Sequence, residues 1–182
     1  MTKKFLAAFF IGAAIFMTGC GDDAENFNED NQKVAQAMAK TLPTFNATDL
    51  DGKPVTNAIF ASKAITMVNI WGTFCPPCKA EMPELGEMAR NNFDDVQLIG
   101  IVCDAEAGSE QVQDAKKILR DANADFVNIV PDAQLQKFLN DVDAVPTTIF
   151  VNSKGEIIGK VIVGADVAGY KDELHRLTQG GK

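Results

Sequence analysis

Two thiols stand two residues apart in the stretch WGTFCPPCKAEMPEL, residues 71–85, and the residues between them are Pro76 and Pro77. A C-x-x-C pair serves haem attachment, structural zinc, a structural disulfide or a redox-active dithiol. Haem attachment requires His directly after the second cysteine, and Lys79 stands there. Structural zinc takes four Cys or His ligands. Besides the pair, the chain offers Cys20, Cys103 and one histidine, His175, and none of these is paired at finger-like spacing. A structural disulfide is compatible with the pattern, but a bridge over two residues closes too small a loop to constrain the unfolded chain much.

The redox reading has a direct physical case. The run AITMVNIW, residues 64–71, is almost continuously apolar and reads as a buried central strand. KAEMPELGEMARNN reads as an amphipathic helix, which Pro83 is expected to kink. Cys75 therefore falls where a strand ends and a helix begins. Unpaired N–H groups and the helix dipole favour an anion there, so a thiolate is stabilised. Pro76 and Pro77 suit a first helical turn, where a missing N–H costs least, and they remove amides that would otherwise serve the sulfurs. A peroxidatic cysteine would stand in a P-x-x-x-[TS]-x-x-C context; Thr73 lies two residues before Cys75, and Asn69, not proline, lies four before Thr73.

The elements around the pair alternate. LPTFNATDLDGKPVT reads as a hairpin turning at Asp51–Gly52. VQLIGIVC, residues 96–103, is a second buried strand. SEQVQDAKKILRDA is a helix starting near Gly108 or Ser109. FVNIV is a short strand, and DAQLQKFLND is a short helix capped by Asp132. PTTIFV and EIIGKVIVG form a hairpin across NSKG, and DVAGYKDELHRLTQ closes the chain as a helix capped by Asp166. Early β-α alternation with a late hairpin predicts an α/β fold with a mixed sheet flanked by helices.

The chain has 182 residues, 46% of them hydrophobic and 23% charged, and a net charge of −8. One domain with an ordinary core is expected, and no basic stripe invites nucleic acid. The first residues differ from the rest. MTKK is basic, Phe5–Met17 is apolar but shorter than a spanning helix, and TGC follows. MTGC resembles a bacterial lipobox, which implies a signal peptide over 1–19, a lipid on Cys20 and a membrane anchor. Ordinary signal cleavage and an uncleaved anchor are the alternatives; all three place the folded part outside the cytoplasm. The acidic GDDAENFNEDNQ reads as a solvated tether within 20–41, and the folded domain is expected over 42–182.

The stretch VNIWGTFCPPCKAEMPEL resembles the active-site region of the TlpA/ResA-like family of extracytoplasmic thioredoxin-fold thiol-disulfide oxidoreductases, and DAVPTTIFVNSKGEIIG resembles that family's cis-proline strand and hairpin. The resemblance covers about residues 42–178. It implies a thioredoxin-like fold with an N-terminal β-hairpin extension. It implies Cys75 as attacking and Cys78 as resolving cysteine, with Pro146 as the cis-proline and Glu81 as a carboxylate exchanging protons with Cys78. Val145 would present its backbone to an extended client, with Trp71, Phe74, Pro76 and Pro77 around it. Two departures stand out: Phe74 replaces the usual Trp, and Asn69 replaces the buried Asp of cytoplasmic thioredoxins.

The resemblance implies no cofactor beyond the Cys75–Cys78 disulfide. It implies disulfide-bearing clients, with apocytochrome c or a methionine sulfoxide reductase as candidates, and a membrane thiol reductase of the CcdA/DsbD type as electron donor. Reduction of exported clients is the first reading. A dithiol oxidase and a non-catalytic lipoprotein with a structural disulfide are the alternatives. Cys103 at a strand end reads foremost as a small inert hydrophobe, although strand C-termini border functional edges; His175 reads as a surface residue; Trp71 either lines the groove or packs.

Overall fold

The computed structural model describes residues 40–91 and 95–179. The signal segment, Cys20 and all but the end of the tether lie outside the described residues. Seven strands form one sheet: β1 (Asn46–Asp49), β2 (Pro54–Thr56), β3 (Ile65–Trp71), β4 (Val96–Val102), β5 (Asn128–Val130), β6 (Thr147–Asn152) and β7 (Ile157–Val163). Their order is β2-β1-β5-β4-β3-β6-β7. Strands β3, β4 and β5 run parallel to one another, and β6 lies antiparallel to β3 on its other side. The helices are α1 (Pro76–Arg90), α2 (Glu110–Asp121), α3 (Ala133–Leu139) and α4 (Val167–Gln179). Among the described residues, no helix is long and apolar enough to cross a membrane.

All seven residues of β3 are buried, as its apolar run implies. Side chains alternate between the faces of a strand, so they serve two cores. Ile65, Met67 and Trp71 join Met82 and Leu85 of α1 and Tyr170 and Leu174 of α4. Val68 and Ile70 join Leu135, Phe138 and Leu139 of α3 on the other face. Each such fully buried side chain contributes about 1.5–3 kcal/mol relative to exposure. Asn69 shares the parity of Met67 and Trp71. The one polar residue in the middle of β3 is thereby turned toward α1 and α4.

Local signals explain the ends of the elements. Asp132 Oδ1 accepts from the N–H groups of Gln134 and Leu135, which caps α3. Asp166 Oδ1 accepts from Gly169 N–H at the start of α4. The Asp51–Gly52 turn joins β1 to β2, with Gly52 at a φ of 80°. Two features go beyond the sequence reading. A short 3-10 helix spans Asn57–Ser62, and β1 attaches antiparallel to β5. Helix α1 continues through Pro83 to Arg90, so the proline does not end it.

Candidate active site

Strand β3 delivers the chain to a loop that is tied at both sides. Cys103 N–H donates to the Trp71 carbonyl at 2.8 Å, just past the end of β4. Thr73 donates its N–H to Asp104 Oδ1 at 3.0 Å and its hydroxyl to Asp104 Oδ2 at 2.5 Å. The Phe74 ring folds back over Gly72, where an added Cβ would meet the ring at 2.6 Å. This leaves Phe74 65% exposed beside the first cysteine.

Cys75 is the N-cap of α1, with Pro76 and Pro77 in the first two helical positions. Neither proline has an N–H, so the Cys78 amide is the first the helix can offer, and it donates to Cys75 Sγ at 3.2 Å. One amide thus does serve a sulfur, beyond what the two prolines suggested. The prolines direct the helix's first available donor onto Cys75. Cys75 and Cys78 form a disulfide with a Cα–Cα distance of 5.3 Å. Cys75 is 4% exposed and Cys78 fully buried. The Val145–Pro146 bond is cis, and the Val145 carbonyl oxygen lies 3.5 Å from Cys75 Sγ.

Glu81 follows Cys78 by three residues, which places both on the inner face of α1. It is 3% exposed. Asn69 Nδ2 donates to Glu81 Oε1 at 2.9 Å and to Thr148 Oγ1 at 3.1 Å. Tyr170 Oη lies 3.0 Å from Glu81 Oε2 as its donor. Burial pushes the Glu81 carboxyl up to about 7, against the pull of the Asn69 and Tyr170 hydrogen bonds and with a smaller push from Glu84. The reason is that its partners are neutral: they solvate the anion without cancelling its charge. A carboxyl that titrates near neutrality is suited to take and return a proton. Burial, with Glu81 beside it, holds the Tyr170 phenol well above its usual range, so it remains a neutral donor.

The structure therefore brings Cys75, Cys78, Val145 and Pro146 together, with Glu81 on the Cys78 side of α1. Pro76, Pro77 and Phe74 are exposed around them. Trp71 does not belong to this surface. It is 0% exposed, and its indole N–H donates to Asn128 Oδ1 at 2.8 Å. Of the two readings of Trp71, its burial fits packing: it faces the helices, where Gly100 leaves room for the Asn128 side chain, because a Cβ there would meet Asn128 Oδ1 at 1.9 Å. Cys103 is half-buried and free. Burial and Asp104 push its thiol up to about 11, so it stays protonated at neutral pH. His175 is exposed on α4. Among the described residues, no group of three or more His, Cys, Asp or Glu could hold a metal ion. Tyr170, Thr148 and Asp104 were not visible as site residues. A lone tyrosine on the apolar side of a helix was the available signal, since a buried phenol needs a partner for its hydroxyl.

Relatives share this architecture. The Redoxin family model matches residues 37–174. The thiol-disulfide oxidoreductase ResA of Geobacillus thermodenitrificans is 31% identical over 135 residues, 73% of each chain. The thiol:disulfide interchange protein DsbE of Haemophilus influenzae is 27% identical over 161 residues, 86% of this chain and 84% of that one. The crystal structure of StoA from Bacillus subtilis superposes with a TM-score of 0.58 at 19% identity, over 75% of this chain and 99% of that one, and shows the shared thioredoxin-like fold. With a Cys75–Cys78 disulfide at the start of α1, the chain belongs to the Redoxin family, as a thiol-disulfide oxidoreductase of the ResA/DsbE type.

Proposed function

We propose that the protein reduces disulfides of client proteins outside the cytoplasm, anchored to the cell membrane by a lipid on Cys20. The observation that carries the exchange chemistry is a disulfide at a helix N-terminus with one cysteine against the Val145–Pro146 segment and a carboxyl titrating near neutrality on the other cysteine's side. In the reduced protein, the Cys75 thiolate attacks one sulfur of a client disulfide. A Cys75–client bond forms, the client S–S bond breaks, and the client's other sulfur leaves as a thiolate. Glu81 takes the Cys78 proton, and the Cys78 thiolate attacks Cys75 Sγ. The Cys75–Cys78 bond forms as the client's second sulfur leaves. Two electrons have passed to the client.

The Cys78 amide aimed at Cys75 Sγ favours the thiolate at that position. Val145 offers backbone beside the sulfur, suited to an extended client segment in the manner of strand addition. The oxidised pair is reloaded by a membrane thiol reductase of the CcdA/DsbD type. Apocytochrome c or a methionine sulfoxide reductase fits as client, since each presents a disulfide to be reduced.

Cys78→Ser tests the scheme by trapping clients on Cys75, read on non-reducing gels and by mass spectrometry. Mixed disulfides with disulfide-bearing exported proteins are expected; no trapped client from either reduced or disulfide-bearing pools would sink the proposal. The potential of the Cys75–Cys78 couple sets direction. A value near about −270 mV, the thioredoxin end of the scale, supports reduction, whereas one near about −120 mV makes the protein an oxidant.

A further inference from the structure

Tyr170 is the only tyrosine of the chain, and it is fully buried on α4. A phenol carries a single hydrogen. Its oxygen stands within reach of two acceptors, Glu81 Oε2 at 3.0 Å and the Gly164 carbonyl at 2.8 Å. Which one takes the hydrogen depends on Glu81. An ionised Glu81 can only accept, and a charged acceptor wins the donor. A neutral Glu81 has a proton of its own to donate to the phenolic oxygen, which releases the Tyr170 hydrogen to Gly164.

The network continues in both directions. Thr148 Oγ1 accepts from Asn69 Nδ2, which also donates to Glu81 Oε1. Gly164 in turn donates its own N–H to the Pro146 carbonyl at 2.8 Å. Glu81 is therefore connected to the cis-proline segment through Tyr170 and Gly164. The groups around Glu81 are Cys78 and Glu84 on α1, Asn69 on β3, Thr148 on β6 and Tyr170 on α4. Glu84, its partner Lys171 at 4.0 Å, and Asp166 at the start of α4 are exposed at the surface.

We propose that Tyr170 is a positioning residue of the exchange reaction, whose hydroxyl hydrogen moves from Glu81 to Gly164 when Glu81 accepts the Cys78 proton, and back when Glu81 releases it. This deepens the reading of Glu81 as the base for Cys78 and rests on it. The step balances: the S–H bond of Cys78 breaks, an O–H bond forms on Glu81, the Tyr170 hydrogen reorients without leaving its oxygen, and no electrons move. Its effect is twofold. The carboxylate is stabilised while it must act as base, and the hydrogen bonding of the Pro146 segment follows the charge on Glu81.

The test is a titration of the Glu81 side-chain carboxyl by carbon-13 NMR in the full-length oxidised chain, assigned with Glu81→Gln. It needs no client and no turnover. Tyr170→Phe removes the donor to the anion, and the Glu81 midpoint is expected to rise by about one pH unit, a tenfold change in proton affinity. The Gly164 carbonyl resonance is expected to titrate with the Glu81 midpoint in the wild type and to lose that titration in Tyr170→Phe. Because the chain has one tyrosine, biosynthetic 3-fluorotyrosine alters position 170 alone. Its more acidic hydroxyl is expected to lower the Glu81 midpoint while keeping the fold. An unchanged midpoint in both variants overturns the proposal and leaves Tyr170 a packing residue. Exchange rates of Glu81→Gln on a disulfide peptide report separately on the base: a rate equal to wild type sinks the base reading, whatever the carboxyl titration shows.

Discussion

Glu81 and Glu173 are both 3% exposed, each on the inner side of a helix, yet the protein treats them in opposite ways. Glu81 meets an amide and a phenol, and its carboxyl is pushed up to about 7. Glu173 meets Arg176, whose Nε donates to Glu173 Oε2 at 2.8 Å, and the Lys160 N–H, which donates to Oε1 at 2.8 Å. The Arg176 guanidinium holds the Glu173 carboxyl below the usual range, burial opposing and the Lys160 amide assisting. Burial alone therefore does not make a carboxyl into a proton carrier. Depth of desolvation and the charge of the partners decide together: at Glu81 desolvation outweighs two neutral donors, and at Glu173 the Arg176 cation outweighs it. Glu173 fastens α4 to β7, and Glu81 sits beside the chemistry.

The sharpest way to break this contrast is to neutralise each carboxyl and follow exchange. Glu81→Gln is expected to slow client reduction at pH 7 about 100-fold, in the range that general acid–base catalysis supplies. Glu173→Gln should stay within about twofold. Equal losses in the two variants would erase the distinction.

Stability separates them in the other direction. Glu173→Gln is expected to lower unfolding free energy by about 1–2 kcal/mol in urea at pH 7, since the part-buried Lys160 amide loses its charged acceptor. The folded protein holds this proton less tightly than the unfolded chain does. Its contribution is therefore present above the ordinary 4.5 and lost as pH falls through the lower folded value. The deficit of the variant should accordingly close in acid. A deficit that persists unchanged at low pH would argue against the ion pair as its source.

The second stability effect has the opposite sign. Glu81 holds its proton more tightly folded than unfolded, so the wild type loses stability as pH rises from about 4.5 to about 7. Glu81→Gln removes that slope, and the variant is expected to be the more stable by roughly 3 kcal/mol at pH 8, with little difference at pH 4. Matched urea melts at the two pH values check this. A parallel pH slope in both proteins would mean that Glu81 titrates as an ordinary solvated carboxyl.

Much of the scaffold was legible because it depends on local chemistry. Seven buried residues in a row made β3 readable, Asp132 announced α3, and Asp-Gly with Asn-Ser-Lys-Gly marked two turns. The cysteine pair was legible for the same reason: its strand and helix lie on either side of it in sequence. What escaped depends on residues far apart along the chain. Asn69 meets Thr148 across the β3–β6 register, and Tyr170 reaches Glu81 from the last helix. Trp71 stayed open between groove and core because its partner Asn128 and the room that Gly100 provides belong to two other strands. The 3-10 helix at Asn57–Ser62 escaped because six residues are too few to display a period.

The loop before Cys75 is clamped through Thr73 and Asp104, and Cys75 itself is only 4% exposed. A nucleophile so placed has little freedom to seek its target, so the conformational search falls to the other molecule. A disulfide held rigidly on a folded surface would have to bring its bulk against Phe74 and the Val145 segment before its sulfur came into line. A disulfide on a pliable, unstructured stretch can settle alongside at small cost. Fixed geometry at the sulfur thus predicts a kinetic preference: a disulfide on a pliable segment should exchange faster than the same disulfide on a rigid surface, as a comparison of two such model clients would show.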